Sequence, residues 1–319
     1  MKKILILALL IFDLAALGQT WPDRPVKIIV GFQPGGGTDI AARIFAKNLS
    51  EIWRVPVLVE NRPGAGGNLG IKHMLEQKND GYIMSSIQTG NLSIQHELSS
   101  PGYNWLTDLS IVSYLGEATP YVVVVNSKNN VSNMREFAAW AKTKTLSYAF
   151  PGVGVPHHIY GTAIAMHLGT DMIPVPYKGV PSMINDLLIG VLDFLVLPTS
   201  QLIVQHVQSG NLSVIGVISD RPSKTFAQVK TMAQQGYDGL YVKQLYGIAV
   251  PSTTPTTIVQ KIRADAKVAW ERSMADELKE KSVADPVLSR WPDSFEHYTQ
   301  TSQLLWHQLI KQTKISKID

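Results

Sequence analysis

GFQPGGGTDIAARIFAKNLSE, residues 31–51, joins an apolar run, VKIIV (26–30), to an amphipathic pattern through three consecutive glycines. A strand that feeds a helix through glycines leaves several backbone N–H groups at the helix start without an intrahelical acceptor. Two readings stand. In one, the stretch is a tight turn with Thr38 as N-cap and Asp39 in the first helical turn, where the helix dipole favours an acid. In the other, Gly35, Gly36 and Gly37 bare the main chain so that a carboxylate or phosphate sits on the helix N-terminus. Each charge-assisted bond would then contribute about 1.5–3 kcal/mol.

Outward from this junction, short β-branched runs alternate with amphipathic segments. VKIIVGF (26–32) reads as a buried strand, and 40–53 as a helix with Ala41, Phe45, Leu49 and Ile52 on one face. VPVLVE (55–60), a helix over 69–77 and the strand YIMSSIQ follow, the spacing of βαβ units. A second series opens with YVVVV (121–125) and runs through a helix over 132–142, LSYAF, the loop PGVGVPH and a helix to about 168. MIPVPY, a helix near 182–189, DFLVLP, a further helix and LSVIGV complete it. LYGIAVP (245–251) is one more strand, and helical stretches over 255–282 and 294–314 close the chain. Two α/β lobes, each with its own sheet, account for this order. The glycine loops at 34–37, 64–67 and 152–154 fall where strands meet helices, the end of an open parallel sheet at which ligands bind.

The 319 residues, 45% hydrophobic and 17% charged, suffice for a sizeable core. MKKILILALLIFDLAALGQT reads as a secretory signal: Lys2 and Lys3, an apolar run from Ile4 to Phe12, then the small residues Ala16 and Gly18. Cleavage is expected after Gly18. The run is too short to span a bilayer, which takes roughly 20 residues. There is no cysteine, which excludes disulfides, thiolate chemistry and a lipid anchor on an N-terminal cysteine. The formal charge of +4 is spread without a basic cluster, so no nucleic-acid partner is expected.

Catalytic signatures are absent. The sequence holds no G-x-S-x-G, no H-E-x-x-H and no Walker A ending after PGGGTD. GAGGNLG places Leu69 where a dinucleotide fingerprint needs glycine. His157 and His158 are adjacent, and helical neighbours project about 100° apart, unsuited to chelating one ion. No metal, cofactor or catalytic residue is expected. PGVGVPHHIYGTAIAMHLG repeats the first junction: Gly152 and Gly154 precede a helix with Pro156 in its first turn. His158 is read either as a partly buried helical histidine or as the rim of an anion seat. A loop of this kind in each lobe suggests two halves gripping one ligand.

Residues 21–70, WPDRPVKIIVGFQPGGGTDIAARIFAKNLSEIWRVPVLVENRPGAGGNLG, closely resemble the start of mature tripartite tricarboxylate transporter substrate-binding proteins, the Bug proteins. DGYIMSSIQTGNLSI, FPGVGVPHHIYGTAIAMHLG, IPVPYKGVPSMINDLLIGVLDF and LYGIAVPSTTPTTIVQKI extend the resemblance along the chain. It implies a periplasmic solute-binding protein of the two-domain α/β periplasmic-binding-protein fold (type II-like). Each domain would be a mostly parallel sheet flanked by helices, with two crossing strands at the hinge near Tyr121–Val124 and Leu245–Val250. The expected division is 1–18 signal, 19–122 plus 248–319 domain one, and 123–247 domain two. The resemblance places Phe32, Gly36, Gly37, Asp39, Thr89 and Asn91 on one wall of a ligand cleft. Gly152, Gly154, His158, Tyr177, Gly179 and Asp193 would form the other. Within that set Asp39 accepts from water or backbone N–H, faces a ligand ammonium, or is a helix-start acid; Tyr177 donates its hydroxyl or packs at the hinge; Asp193 holds a neighbouring loop. Gln33 and Val155 depart from residues frequent in the family. The implied partners are a small organic anion (a mono-, di- or tricarboxylate or an acidic amino acid) and a membrane permease of large and small subunits. The protein is expected to be monomeric. A ligand sensor that signals to a membrane partner, or a secreted enzyme with a glycine-loop anion site, are the alternative readings.

Overall fold

The computed structural model describes residues 21–281, 284–285, 293–313 and 315; the signal expected over 1–18 lies outside them. In chain order the strands are β1 (Val26–Val30), β2 (Val57–Asn61), β3 (Ile83–Gln88), β4 (Leu109–Ala118), β5 (Tyr121–Asn126), β6 (Leu146–Phe150), β7 (Met172–Pro176), β8 (Phe194–Pro198), β9 (Leu212–Ile218), β10 (Leu245–Pro251) and β11 (Ala284–Asp285). They form two sheets, ordered β11-β4-β10-β3-β1-β2 and β7-β6-β8-β5-β9. Helices flank both, giving the two-domain α/β fold expected.

Pairing is mixed within each sheet, not mostly parallel as expected, because a strand arriving from the other lobe enters each sheet in the opposite direction. β1 runs parallel to β2 and β3, and β6 parallel to β7 and β8, because helical crossovers return the chain in the same direction. β10 runs antiparallel to β3 and β4, and β5 antiparallel to β8 and β9. These two are the strands that enter each sheet from the other lobe. The chain passes across at Thr119–Pro120 and again just ahead of Leu245, where Ala118 N–H donates to the Gln244 carbonyl at 2.8 Å.

The helices are α1 (Gly37–Trp53), α2 (Asn68–Leu75), α3 (Thr89–Leu98), α4 (Trp105–Asp108), α5 (Met134–Ala141), α6 (Pro156–Leu168), α7 (Val180–Leu188), α8 (Gln201–Gln208), α9 (Thr256–Ala269), α10 (Ala275–Glu280) and α11 (Asp293–Thr313). A π-helical turn, Trp270–Met274, joins α9 to α10. Residues 89–118, where hydrophobic periodicity is weak, supply α3, α4 and β4.

Strand alternation explains why YVVVV reads as one apolar run. Tyr121, Val123 and Val125 enter one core with Phe137, Tyr148 and Tyr160, while Val122 and Val124 enter another with Leu187 and Leu195. A strand covered on both faces needs no polar side. In the first lobe, Val26, Ile28 and Val30 pack with Phe45 and Leu49 of α1 and with Ile262 of α9.

The terminal helix does not sit with the first sheet alone. α11 packs on α3 and α6. Its Trp306, fully buried, joins the core that holds Ile94 and Leu98 of α3 together with Tyr160 of α6. One apolar cluster therefore spans both lobes on this side. Among the described residues no helix is long and apolar enough to cross a membrane.

Candidate functional site

The glycine junction at 35–37 resolves differently from a Thr38-capped turn. Gly36 is the N-cap of α1, in extended conformation, and no side chain caps the helix. Asp39 instead reaches back: its Oδ2 accepts from Gly35 N–H and Arg43 Nε, both at 2.9 Å, and Oδ1 accepts from Asn61 Nδ2 at 2.8 Å. Asp39 is 2% exposed and braces the loop from beneath. The first-turn N–H groups, from Gly37 onward, are left without an intrahelical acceptor.

Two helix starts in the second lobe share this property. α7 has Gly179 as its N-cap and α6 has Val155, again with no side-chain cap in either case. The α7 start faces that of α1, and α6 reaches the same place through His157 of its first turn. A Cβ added at Gly35 would lie 3.6 Å from Pro181 of α7, and one at Gly179 would lie 2.6 Å from Cβ of Gln33. Gly179 has extended backbone, so this close approach, not backbone strain, is what glycine allows there.

Between them lies a narrow cleft. Phe32, Gln33, Gly36, Gly37, Thr38, Gln88 and Tyr246 line it from the first lobe; Tyr121, Pro151, His157, Gly179, Val180 and Pro198 line it from the second. Its volume is about 30 Å³, room for roughly two waters. The lobes are closed on each other. No Lys, Arg, Asp or Glu is among these lining residues, so the positive ends of the helices are its electrostatic character. A larger hollow, about 330 Å³ by the same measure, lies at the lobe crossing among Glu117, Thr119, Lys224 and Tyr241, and these helix starts do not line it.

Of the residues expected to bind ligand, Phe32, Gly36, Gly37 and Gly179 come together here. The others sit elsewhere. Thr89 is fully buried and its hydroxyl accepts from Leu245 N–H at 3.0 Å. Asn91 lies in α3, and its side chain is outside the described residues. The loop 151–155 packs against the first lobe through Gly152 and Gly154, whose added Cβ atoms would meet Gly66 N at 2.9 Å and Gln95 Nε2 at 2.6 Å. Tyr177 donates to Asp186 through a short hydrogen bond. Asp193 accepts from Ser147 N–H at 2.8 Å and pairs with Lys144 at 2.6 Å, at the opposite end of its strand from Pro198, which lines the cleft.

The two histidines exchange roles. His158 turns inward, its ring 4.2 Å from that of Phe150, and its Nδ1 accepts from Gly154 N–H at 3.4 Å. His157 lines the cleft, edge-on to Tyr121 at 5.2 Å. It is 8% exposed, and among the described residues neither ring nitrogen has a partner. Burial lowers its pKa to about 3. Helical geometry fixes that the two rings diverge but not which one meets the cavity, and no sequence signal separates them. Gln88 and Tyr246 reach the cleft from strand ends on neighbouring β3 and β10, a proximity that only the sheet order creates.

The chain matches the family model described as "Tripartite tricarboxylate transporter family receptor" over residues 41–315. It is 29% identical over 301 residues to Protein BugT of Bordetella pertussis, covering 92% of this chain and 91% of that one. Among solved structures it is similar to the periplasmic binding protein BugD, with a TM-score of 0.87 at 27% identity, covering 93% of this chain and all of that one. The same fold recurs in a Rhodopseudomonas palustris protein, Rpa4515, solved with adipate: TM-score 0.85, 23% identity, 93% of this chain and 100% of that one.

Proposed function

The chain belongs to the tripartite tricarboxylate transporter receptor family, and on that premise we propose that it captures a small organic carboxylate in the periplasm and hands it to a membrane permease. The observation that carries this reading is the convergence of two uncapped helix starts, of α1 and α7, joined by His157 from the first turn of α6, on one interlobe cleft with no charged side chain among its described lining residues. Unpaired N–H groups at a helix N-terminus attract an anion, and the dipoles add to the attraction. Gly36, Gly37 and Gly179 bring that backbone within reach of a ligand, and Phe32 shields it from bulk water.

The closed cleft holds roughly two waters, so admitting an organic acid requires the lobes to part at Thr119–Pro120 and at the segment before Leu245. The closed form is the one presented to the permease. Asp39, Thr89, Tyr177 and Asp193 support the walls through bonds within the protein. Gly152 and Gly154 belong to the lobe contact, and His158 packs behind them on Phe150. With no nucleophile or base placed in the cleft beside a partner, the cargo leaves chemically unchanged.

Native mass spectrometry of the purified protein tests the reading through the mass of any co-purified acid, followed by thermal unfolding against a carboxylate panel. Ligand that binds only the folded state raises Tm by mass action. Absence of any shift across mono-, di- and tricarboxylates and acidic amino acids would overturn the proposal.

A further inference from the structure

The helix starts account for one carboxylate; His157 raises the question of what else the ligand carries. Its imidazole is 8% exposed, lines the cleft, and leaves both nitrogens without a partner among the described residues. An unpaired buried polar group is costly, and such a group aimed into a binding cavity is matched when ligand arrives. Thr38 and Gln88, also lining the cleft, bond each other, whereas His157 is the imidazole there whose two buried nitrogens both lack a partner among the described residues.

Resting on the carboxylate-capture reading, we propose that His157 makes this cleft selective for a monocarboxylate whose far end carries an uncharged hydrogen-bonding group, a hydroxyl or keto oxygen, over the fully ionised dicarboxylate of the same length. The α1 and α7 starts approach so closely that Gly179 and Gln33 exclude a Cβ between them, which makes one anion seat out of two dipoles. Among the described residues no side-chain cation lines the cleft to receive a second ionised group, and burying an unpaired carboxylate is strongly unfavourable. His157 cannot readily become that cation. It sits in the first turn of α6, whose positive end opposes an imidazolium, and burial opposes it further. The groups packed on it, Tyr121 edge-on and Tyr246 across the cleft, bring no negative charge. A neutral imidazole offers one N–H and one lone pair, which suits a hydroxyl or a keto oxygen.

Calorimetric titration of the full-length mature protein with butyrate, γ-hydroxybutyrate and succinate, and with the corresponding triads one carbon shorter and longer, tests this in two buffers of different ionisation enthalpy. The hydroxy acid is expected to bind about tenfold or more tightly than the plain acid and the dicarboxylate, with no proton taken up. His157→Phe should erase that preference while retaining the plain acid, and His157→Gln, which keeps a donor and an acceptor, should restore much of it. Preferred binding of succinate or its homologues with uptake of a proton overturns the inference and leaves carboxylate capture standing. Equal preference in wild type and His157→Phe also overturns it. If no acid of the set or of the wider panel binds, the capture reading itself fails and the inference falls with it.

Discussion

Gln95 of α3 donates through Nε2 to the Val153 carbonyl at 2.6 Å, joining the first lobe to the loop that opens α6 in the second. The same nitrogen reaches the Gly154 carbonyl at 2.9 Å, and Oε1 accepts from Asn68 and Ser99 at 3.1 Å each. The loop that holds Gly152 and Gly154 is thereby tied to the first lobe. Gly154 has a φ of +70° and, like Gly152, accepts no Cβ against the opposing lobe. The two lobes are joined here by bonds between protein groups alone.

Gln95→Glu removes the donor and sets carboxylate oxygens against two carbonyls. The expected result is an open-biased protein with ligand affinity lowered about tenfold, the equivalent of losing one hydrogen bond with its partner left unsatisfied. Small-angle scattering should show a larger radius of gyration without ligand. An unchanged radius and affinity would mean the contact does not hold the lobes.

Gly179→Ala places a Cβ 2.6 Å from Cβ of Gln33, a clash that exists only when the lobes meet. Affinity for cargo should fall by tenfold or more, since overpacking costs about 1–3 kcal/mol, with Tm of the unliganded protein changed little. Gln33→Gly in the same molecule should recover the loss. A double mutant no better than Gly179→Ala would show that the glycine is needed for another reason.

Acid should weaken the fold through the histidine pair. Burial holds His157 and His158 down to about 3 and about 4, against about 6.5 in an unfolded chain. The unfolded state therefore binds more protons below about pH 6.5, and stability falls as pH drops from there toward the folded values. Each group contributes a slope of about 1.4 kcal/mol per pH unit within that window. Urea unfolding at stepped pH should give a shallower dependence for His158→Phe, which keeps the stack on Phe150. The same slope in both proteins would place acid sensitivity elsewhere.

Trp306→Ala should cost about 3–5 kcal/mol, read from urea unfolding. Its ring is fully buried, 5.6 Å from that of Tyr160, in the cluster shared by α3, α6 and α11. Because that cluster spans both lobes, the loss should also appear as a broader or split transition. A change below about 1 kcal/mol would mean α11 is dispensable to the described core.

The order of strands and helices, the lobe pair and the glycine junctions were legible in the sequence, because each rests on local physics: strand periodicity of two, helical periodicity near 3.6, and the freedom of Gly35 through Gly37 at a strand end. Phe32, Gly36, Gly37 and Gly179 could be chosen for the cleft since the family resemblance and the bare backbone point the same way. Residues 89–118 were not legible: α3 packs toward the second lobe's core, so its apolar face answers to a distant partner and not to a neighbouring strand.

What tertiary structure alone decided is which polar groups are already matched. Asp39 is consumed by Gly35, Arg43 and Asn61, Thr89 by Leu245, and Asp193 by Ser147 and Lys144, none of which spacing along the chain discloses. His157 and His158 are equivalent to any reading of composition or period, and the way α6 lies on its sheet turns one to Phe150 and the other to the cleft. Hydrogen-bond satisfaction is a property of three-dimensional neighbours, so sequence could nominate the glycine junctions but not which of the two histidines lines the cleft.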